Sequence, residues 1–206
     1  DQYFCQTLLP DFIAEHPELT SKWDVVYDAR GHFCEPHTGR ELPLGTLGVR
    51  QYLSGVAGFT PPWLQQIELP SISPRGCGTF GPLHRFGAVL FVEKEGFMPL
   101  FRAVKLAERY DVAIMSTKGV SVTAARKLVD ELAGYARNHL GHRLPLLVLH
   151  DFDKSGFTIL GTFTRASRRY EYANDLEVID LGLRLADVQA MELASESVLV
   201  RGDDPR

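Results

Sequence analysis

Leu146-Leu147-Val148-Leu149-His150-Asp151-Phe152-Asp153-Lys154-Ser155-Gly156 is the stretch on which the reading of this chain turns. Its apolar start reads as a short buried strand. Two acids one residue apart follow, and then a small-residue turn at Ser155-Gly156. In an α/β sheet, ligands bind beyond the carboxyl ends of the strands. Two carboxylates displayed there suit a hard divalent cation, Mg²⁺ or Mn²⁺, which takes oxygen ligands and, for Mg²⁺, keeps several waters. An Asp-x-Asp pair also serves as an Asx turn or a helix cap. The metal reading gains weight from an earlier strand of the same design, Ala88-Val89-Leu90-Phe91-Val92, which ends in Glu93-Lys94-Glu95-Gly96.

Working outward, apolar runs and amphipathic stretches alternate. The strand at 88–93 leads to a helix from Gly96 to about Arg109, with Phe97, Leu100, Phe101, Val104 and Ala107 on one face. A strand from Val112 to Met115 follows. After the turn Ser116-Thr117-Lys118-Gly119, a helix is expected from Ser121, with Val122, Ala125, Leu128, Val129, Leu132 and Ala136 as its buried stripe. The acids open a helix from about Ser155 to Arg168. A strand from Leu176 to Leu181 and a helix near 185–191 complete the series. Strands alternating with helices over short connections predict a parallel sheet with right-handed crossovers.

The first 85 residues are less regular. Residues 1–20 have helical spacing at Phe4, Leu8, Leu9, Phe12 and Ile13. Trp23 to Tyr27 reads as a strand, with 32–35 as its hairpin partner and Pro36-His37-Thr38-Gly39 as the next turn. A short helix is expected over 47–53. Residues 55–87 are rich in Pro and Gly yet keep Trp63, Leu64, Ile67, Leu69 and Phe80, which argues for a segment lying over other structure. The expected organisation is an N-terminal α+β region and linker over 1–85, a metal-binding domain over 86–195 and a polar tail over 196–206. His32, Cys34 and His37 invite a zinc site, but a closed tetrahedral site takes four ligands and no second cluster supplies them.

At 206 residues and 45% hydrophobic, the chain is long enough and apolar enough to bury a core. A net charge of −4 demands no polyanionic partner, although local patches rather than totals bind phosphate. Three cysteines far apart read as reduced thiols of a cytoplasmic protein. No apolar run reaches the roughly 20 residues of a membrane span, and no signal-peptide pattern opens the chain. The first residue is Asp1 rather than Met, which fits an excised piece of a longer protein.

Strand–Glu, strand–Lys-Gly–helix and strand–Asp-x-Asp–Gly–helix, in that order, resemble the Toprim domain shared by topoisomerases, bacterial primases and several nucleases. Within that group the chain is similar to the A subunit of topoisomerase VI and the meiotic double-strand-break protein. Val89 to Phe97, Ser116 to Leu128 and Leu149 to Gly156 carry the likeness, with a weaker echo at Asp180 to Leu183 and Asp187. The resemblance implies a Rossmann-like α/β fold and Mg-dependent strand cleavage and rejoining, or nuclease action, on DNA. Two departures stand out. Lys154-Ser155 replaces the family's Pro-Tyr, and the family's nucleophilic tyrosine lies on an upstream winged-helix domain with no counterpart in residues 1–85.

Asp151 and Asp153 are thus the candidate metal ligands. Glu93 is the third ligand or a general acid/base. Lys118 and Arg126 are candidate phosphate contacts, with Lys94 and Lys154 beside the acids in the same role. Tyr52 is the nearest in-chain match to the nucleophile's setting, against the commoner reading of a packed tyrosine on an amphipathic helix. Expected partners are DNA and a homodimer mate or second subunit that supplies a nucleophile, with no membrane. Two other readings stand beside this one. Asp151 with Gly202-Asp203-Asp204 also resembles a haloacid-dehalogenase-type phosphatase, and a Toprim-like scaffold could bind DNA or a partner without catalysis.

Overall fold

The computed structural model describes residues 3–36, 39–57, 86–117, 123–141, 143–167 and 169–196. A π-helical segment, Phe4–Leu8, runs into α1 (Leu9–Glu15), and α2 (Pro17–Thr20) follows. Next come β1 (His32–Cys34), β2 (Glu41–Pro43), α3 (Thr46–Ala57) and β3 (Ala88–Val92). A 3₁₀ turn, Glu95–Phe97, leads to α4 (Met98–Ala103), α5 (Leu106–Tyr110) and β4 (Val112–Ser116). The rest is α6 (Thr123–Tyr135), β5 (Pro145–Leu149), α7 (Lys154–Thr164), β6 (Glu177–Gly182) and α8 (Leu185–Ala190).

Among the described residues, six strands form one sheet in the order β2-β1-β4-β3-β5-β6. The strands β4, β3, β5 and β6 are parallel, and β1 and β2 add an antiparallel hairpin on the β4 side. Side-chain alternation sorts the strands onto two faces. Phe33, Val89, Phe91, Ala113, Met115, Leu146 and Val148 meet α3, α6 and α7 on one face. Leu90, Val92, Val112 and Ile114 meet Met98, Phe101, Leu106 and Ala107 on the other. A sheet covered on both faces needs the near-continuous apolar strands seen here.

Because α4 and α5 cover one face and α6 the other, the chain leaves β3 toward β4, then crosses back over β3 to enter β5. The strand order reverses at β3, so the crevice beyond the carboxyl ends of β3 and β5 is a topological switch point. The α/β architecture expected from the alternating pattern is the one observed, a Rossmann-like sheet flanked by helices.

Several local expectations change. Residues 23–27 form no strand; their backbone is held by Thr46, whose Oγ1 accepts from Tyr27 N at 2.9 Å and whose N donates to Tyr27 O at 3.1 Å. The hairpin partner of β1 is instead β2, with His32 opposite Pro43. The single helix expected over 96–109 is broken at Lys105, which takes a left-handed φ of 52°. Leu100 and Val104, expected on the buried face, are instead 61% and 52% exposed. Residues 32–57 share the sheet and the larger core with the rest, through Phe33, Leu42, Leu44, Val49 and Tyr52. Most of the Pro- and Gly-rich segment, Ser121 and the polar tail beyond Glu196 lie outside the described residues.

Candidate metal and nucleic-acid site

Register brings the motifs to one edge. Val92 pairs with Ser116 on one side and Leu149 on the other, and Leu149 with Gly182, so four parallel strands end in one row. Glu93 extends the row by one residue, its N donating to Leu149 O at 3.3 Å. Its Oε2 lies 3.5 Å from the backbone N of Asp151, which places Glu93 beside the start of the Asp-x-Asp turn. Both acids are partly exposed.

Lys94 reaches across from β3 and donates to Asp151 Oδ2. Its ammonium stays charged beyond the ordinary lysine range, first through that hydrogen bond and then through the charge of Asp151, with Glu93 and Asp153 adding to the effect. One cation thus already sits in the joint field of three carboxylates. These exposed oxygen donors are of the kind a hard divalent cation takes. Among the described residues, however, no three His, Cys, Asp or Glu side chains converge on one point.

Asp153 explains why. It is the N-cap of α7, and its Oδ1 accepts from Gly156 N at 2.7 Å, which turns the carboxylate toward its own helix. The glycine is required by proximity. A Cβ at Gly156 would stand 2.1 Å from Asp151 O and 2.7 Å from His150 Nδ1. The small residue three after Asp153 therefore lets α7 press against the acid turn.

His150 escaped the sequence reading. Its ring is buried, with Nδ1 2.8 Å from Asp151 O and Nε2 3.2 Å from Asp180 Oδ1 on β6. Proximity does not make the second contact a hydrogen bond, because Nε2 has no partner of acceptable geometry. A signal was present: Leu146, Val148 and His150 continue one inward alternation, at 2%, 0% and 3% exposure. The ring packs edge-on against Phe157, with centroids 5.3 Å apart, and so supports the turn from beneath.

The basic residues divide. Lys94 and Lys154 are exposed beside the acids. Lys118 lies outside the described residues. Arg126 is only 5% exposed; it donates to Ser167 Oγ at 2.6 Å, and burial above all lowers the pKa of its guanidinium. In this position it ties α6 to Ser167 rather than facing solvent. Tyr52 is likewise buried, its hydroxyl donating to Glu35 Oε1 at 2.5 Å. Of the residues that invited a zinc site, His32 pairs with Glu95 and Cys34 Sγ with Glu41, while His37 lies outside the described residues.

The phosphatase alternative needs Asp151 on the strand that opens the core, whereas β5 is the third parallel strand and enters after the crossover. No helix among the described residues is long and apolar enough to cross a membrane. The family model for the Toprim domain of the topoisomerase 6 A subunit and Spo11 matches residues 88–206. No curated protein matches the chain. With more than half its length covered by that model, which opens on the first acid-bearing strand and takes in the second, the chain belongs through its Toprim domain to the family of Spo11 and the topoisomerase 6 A subunit.

Proposed function

We propose that the β3–β5 edge is a metal-dependent site for cutting and rejoining, or hydrolysing, DNA phosphodiesters. The observation that carries this reading is the meeting of Glu93 and Asp151 at the switch point, with a lysine ammonium already held between the strands. Glu93 and Asp151 would hold Mg²⁺ or Mn²⁺, and Asp153 would join them on leaving its cap. When bound, the metal supplies charge neutralisation at the phosphoryl oxygens.

The chain's own groups do the rest. Lys94, released from Asp151, offers its ammonium to a phosphate oxygen, and Lys154 stands at the start of α7 for the same purpose. Glu93 can exchange a proton with the oxygen that attacks or leaves, as a strand-end carboxylate within reach of the turn. The hydroxyls of Tyr52, Tyr170 and Tyr172 are already engaged, by Glu35, Asp130 and Thr162 O. The attacking oxygen in this reading comes from water, or from a tyrosine on an upstream segment or second subunit.

Calorimetric titration with Mn²⁺ tests the site directly. Asp151→Asn exchanges a charged oxygen for a neutral one, and the affinity should fall at least tenfold relative to the wild-type chain. Equal affinity in the two proteins would remove Asp151 from the site.

A further inference from the structure

The row of strand ends continues past the acids to a residue that the proposed chemistry does not use. His32 opens β1, pairs in register with Ser116, and through Ser116 stands in line with Val92. Since β1 runs antiparallel to β4, its first residue lies at the edge where the parallel strands end. There the His32 ring is fixed: Nδ1 lies 2.7 Å from Glu95 Oε1, in the turn just after Glu93. The side chain is 45% exposed, and its contact with Glu95 leaves Nε2 directed elsewhere.

The surrounding charges are accounted for. Two residues along the same strand face, Cys34 Sγ donates to Glu41 Oε1 at 3.2 Å, and Glu41 also pairs with Arg102. Arg102 is thus engaged with a carboxylate of its own. A histidine with one ring nitrogen held by a carboxylate has its orientation set before any ligand arrives. Such preorganisation reduces the ordering cost that a loose surface lysine incurs on binding.

Spacing decides the role. β1 and β3 are two strands apart, so His32 stands roughly 10 Å from the acid strand at ~4.8 Å per strand. The ring closes part of that distance, since it reaches Glu95 two residues past Glu93, so His32 stands beside the acids rather than among them. A nucleic-acid strand carries a phosphate at every nucleotide, so a strand held at Glu93 presents a neighbouring phosphate to the flanking strand ends. We propose that His32, oriented by Glu95, is a second phosphate contact on a DNA track along the sheet edge, its doubly protonated ring donating from Nδ1 to Glu95 and from Nε2 to a backbone phosphate beside the acids. This rests on the reading of the edge as a DNA site.

The test is binding of a short labelled DNA duplex to the full chain, followed by fluorescence anisotropy at low salt. His32→Gln should weaken binding about tenfold, the scale of one charge-assisted hydrogen bond. Glu95→Gln keeps an acceptor for Nδ1 and should fall between the two. The control is His16→Gln, because His16 sits beside Glu18 in another exposed His–Glu pair, on the N-terminal helices, and its loss should change nothing. If the wild type binds and His32→Gln binds equally well, the proposal is overturned while the DNA reading stands. A wild-type chain that binds no DNA overturns both. Should the variant fail to fold, the ¹⁵N signal of His32 Nε2 in the wild type decides: it should move on addition of duplex, and an unmoved signal overturns the contact.

Discussion

Asp130 and Asp151 are the same residue type in two opposite situations. Asp130, on α6, is 2% exposed, and its carboxylate accepts from Tyr170 OH at 2.7 Å, Ala173 N at 3.0 Å, and Asn174 N and Nδ2 at 2.9 Å each. Every donor comes from one segment, so the carboxylate ties residues 170–174 to the helix. Asp151 is 41% exposed at its side chain and is met there by a mobile-ended lysine. A buried acid must have its lone pairs satisfied by the fold, whereas an acid with spare oxygens at a strand end is available to a ligand. Identity alone does not separate structure from function; the degree of saturation does.

The comparison is broken most sharply by deleting each carboxylate. Asp130→Ala should cost about 3–4 kcal/mol in urea unfolding, because several buried donors lose their acceptor at once. Asp151→Asn should move the same midpoint by no more than about 0.5 kcal/mol, since an exposed ion pair contributes little. A large loss at Asp151 would make it a structural acid like Asp130.

Gly156→Ala probes the boundary between the two situations. Its Cβ would meet the Asp151 carbonyl, so α7 must shift away from the turn at a cost of about 2–3 kcal/mol. Metal affinity should fall with it, although no acid has been touched. Unchanged stability and affinity would mean that the turn is looser than its packing implies.

Alkaline pH gives a smaller and graded effect, largest in the Asp130 region. Burial, followed by the hydrogen bond to Asp130, pushes the Tyr170 hydroxyl well above the ordinary tyrosine range, and burial does the same for Tyr172. A raised folded-state value means that the native chain keeps protons the unfolded chain has released. The stability contributed is therefore full below about pH 10 and is lost as pH climbs from there. Both tyrosines are half-buried, so solvent screening makes the decline modest. Urea midpoints measured across that range should fall with pH, and Tyr170→Phe should flatten the slope.

The pairing of strand-end acids was legible in sequence because each half is local: an apolar run of alternating burial, then an acid, then a glycine. The same locality made the parallel sheet and the order of its helices readable, and the inward position of His150 was there to be read in the alternation of 146, 148 and 150. Local periodicity also misled. The apolar spacing of 97–107 reads as one amphipathic helix, yet Lys105 breaks it, and the short run at 23–27 fits a strand that does not form.

Sequence by itself therefore determined the alternation of strands and helices, the two acid-bearing strand ends and the small-residue turn at Ser155-Gly156. Tertiary structure decided which side chains meet. Lys94 finds Asp151 across 57 positions of chain, His32 finds Glu95 across 63, and Arg126 is drawn inward to Ser167 across 41. It also decided that Asp153 caps α7 while Asp151 stays open, and that β1 closes onto β4. Pattern reports the period of a segment and hence which face is apolar. Contacts between distant segments depend on strand register and helix placement, which arise only when the whole core packs.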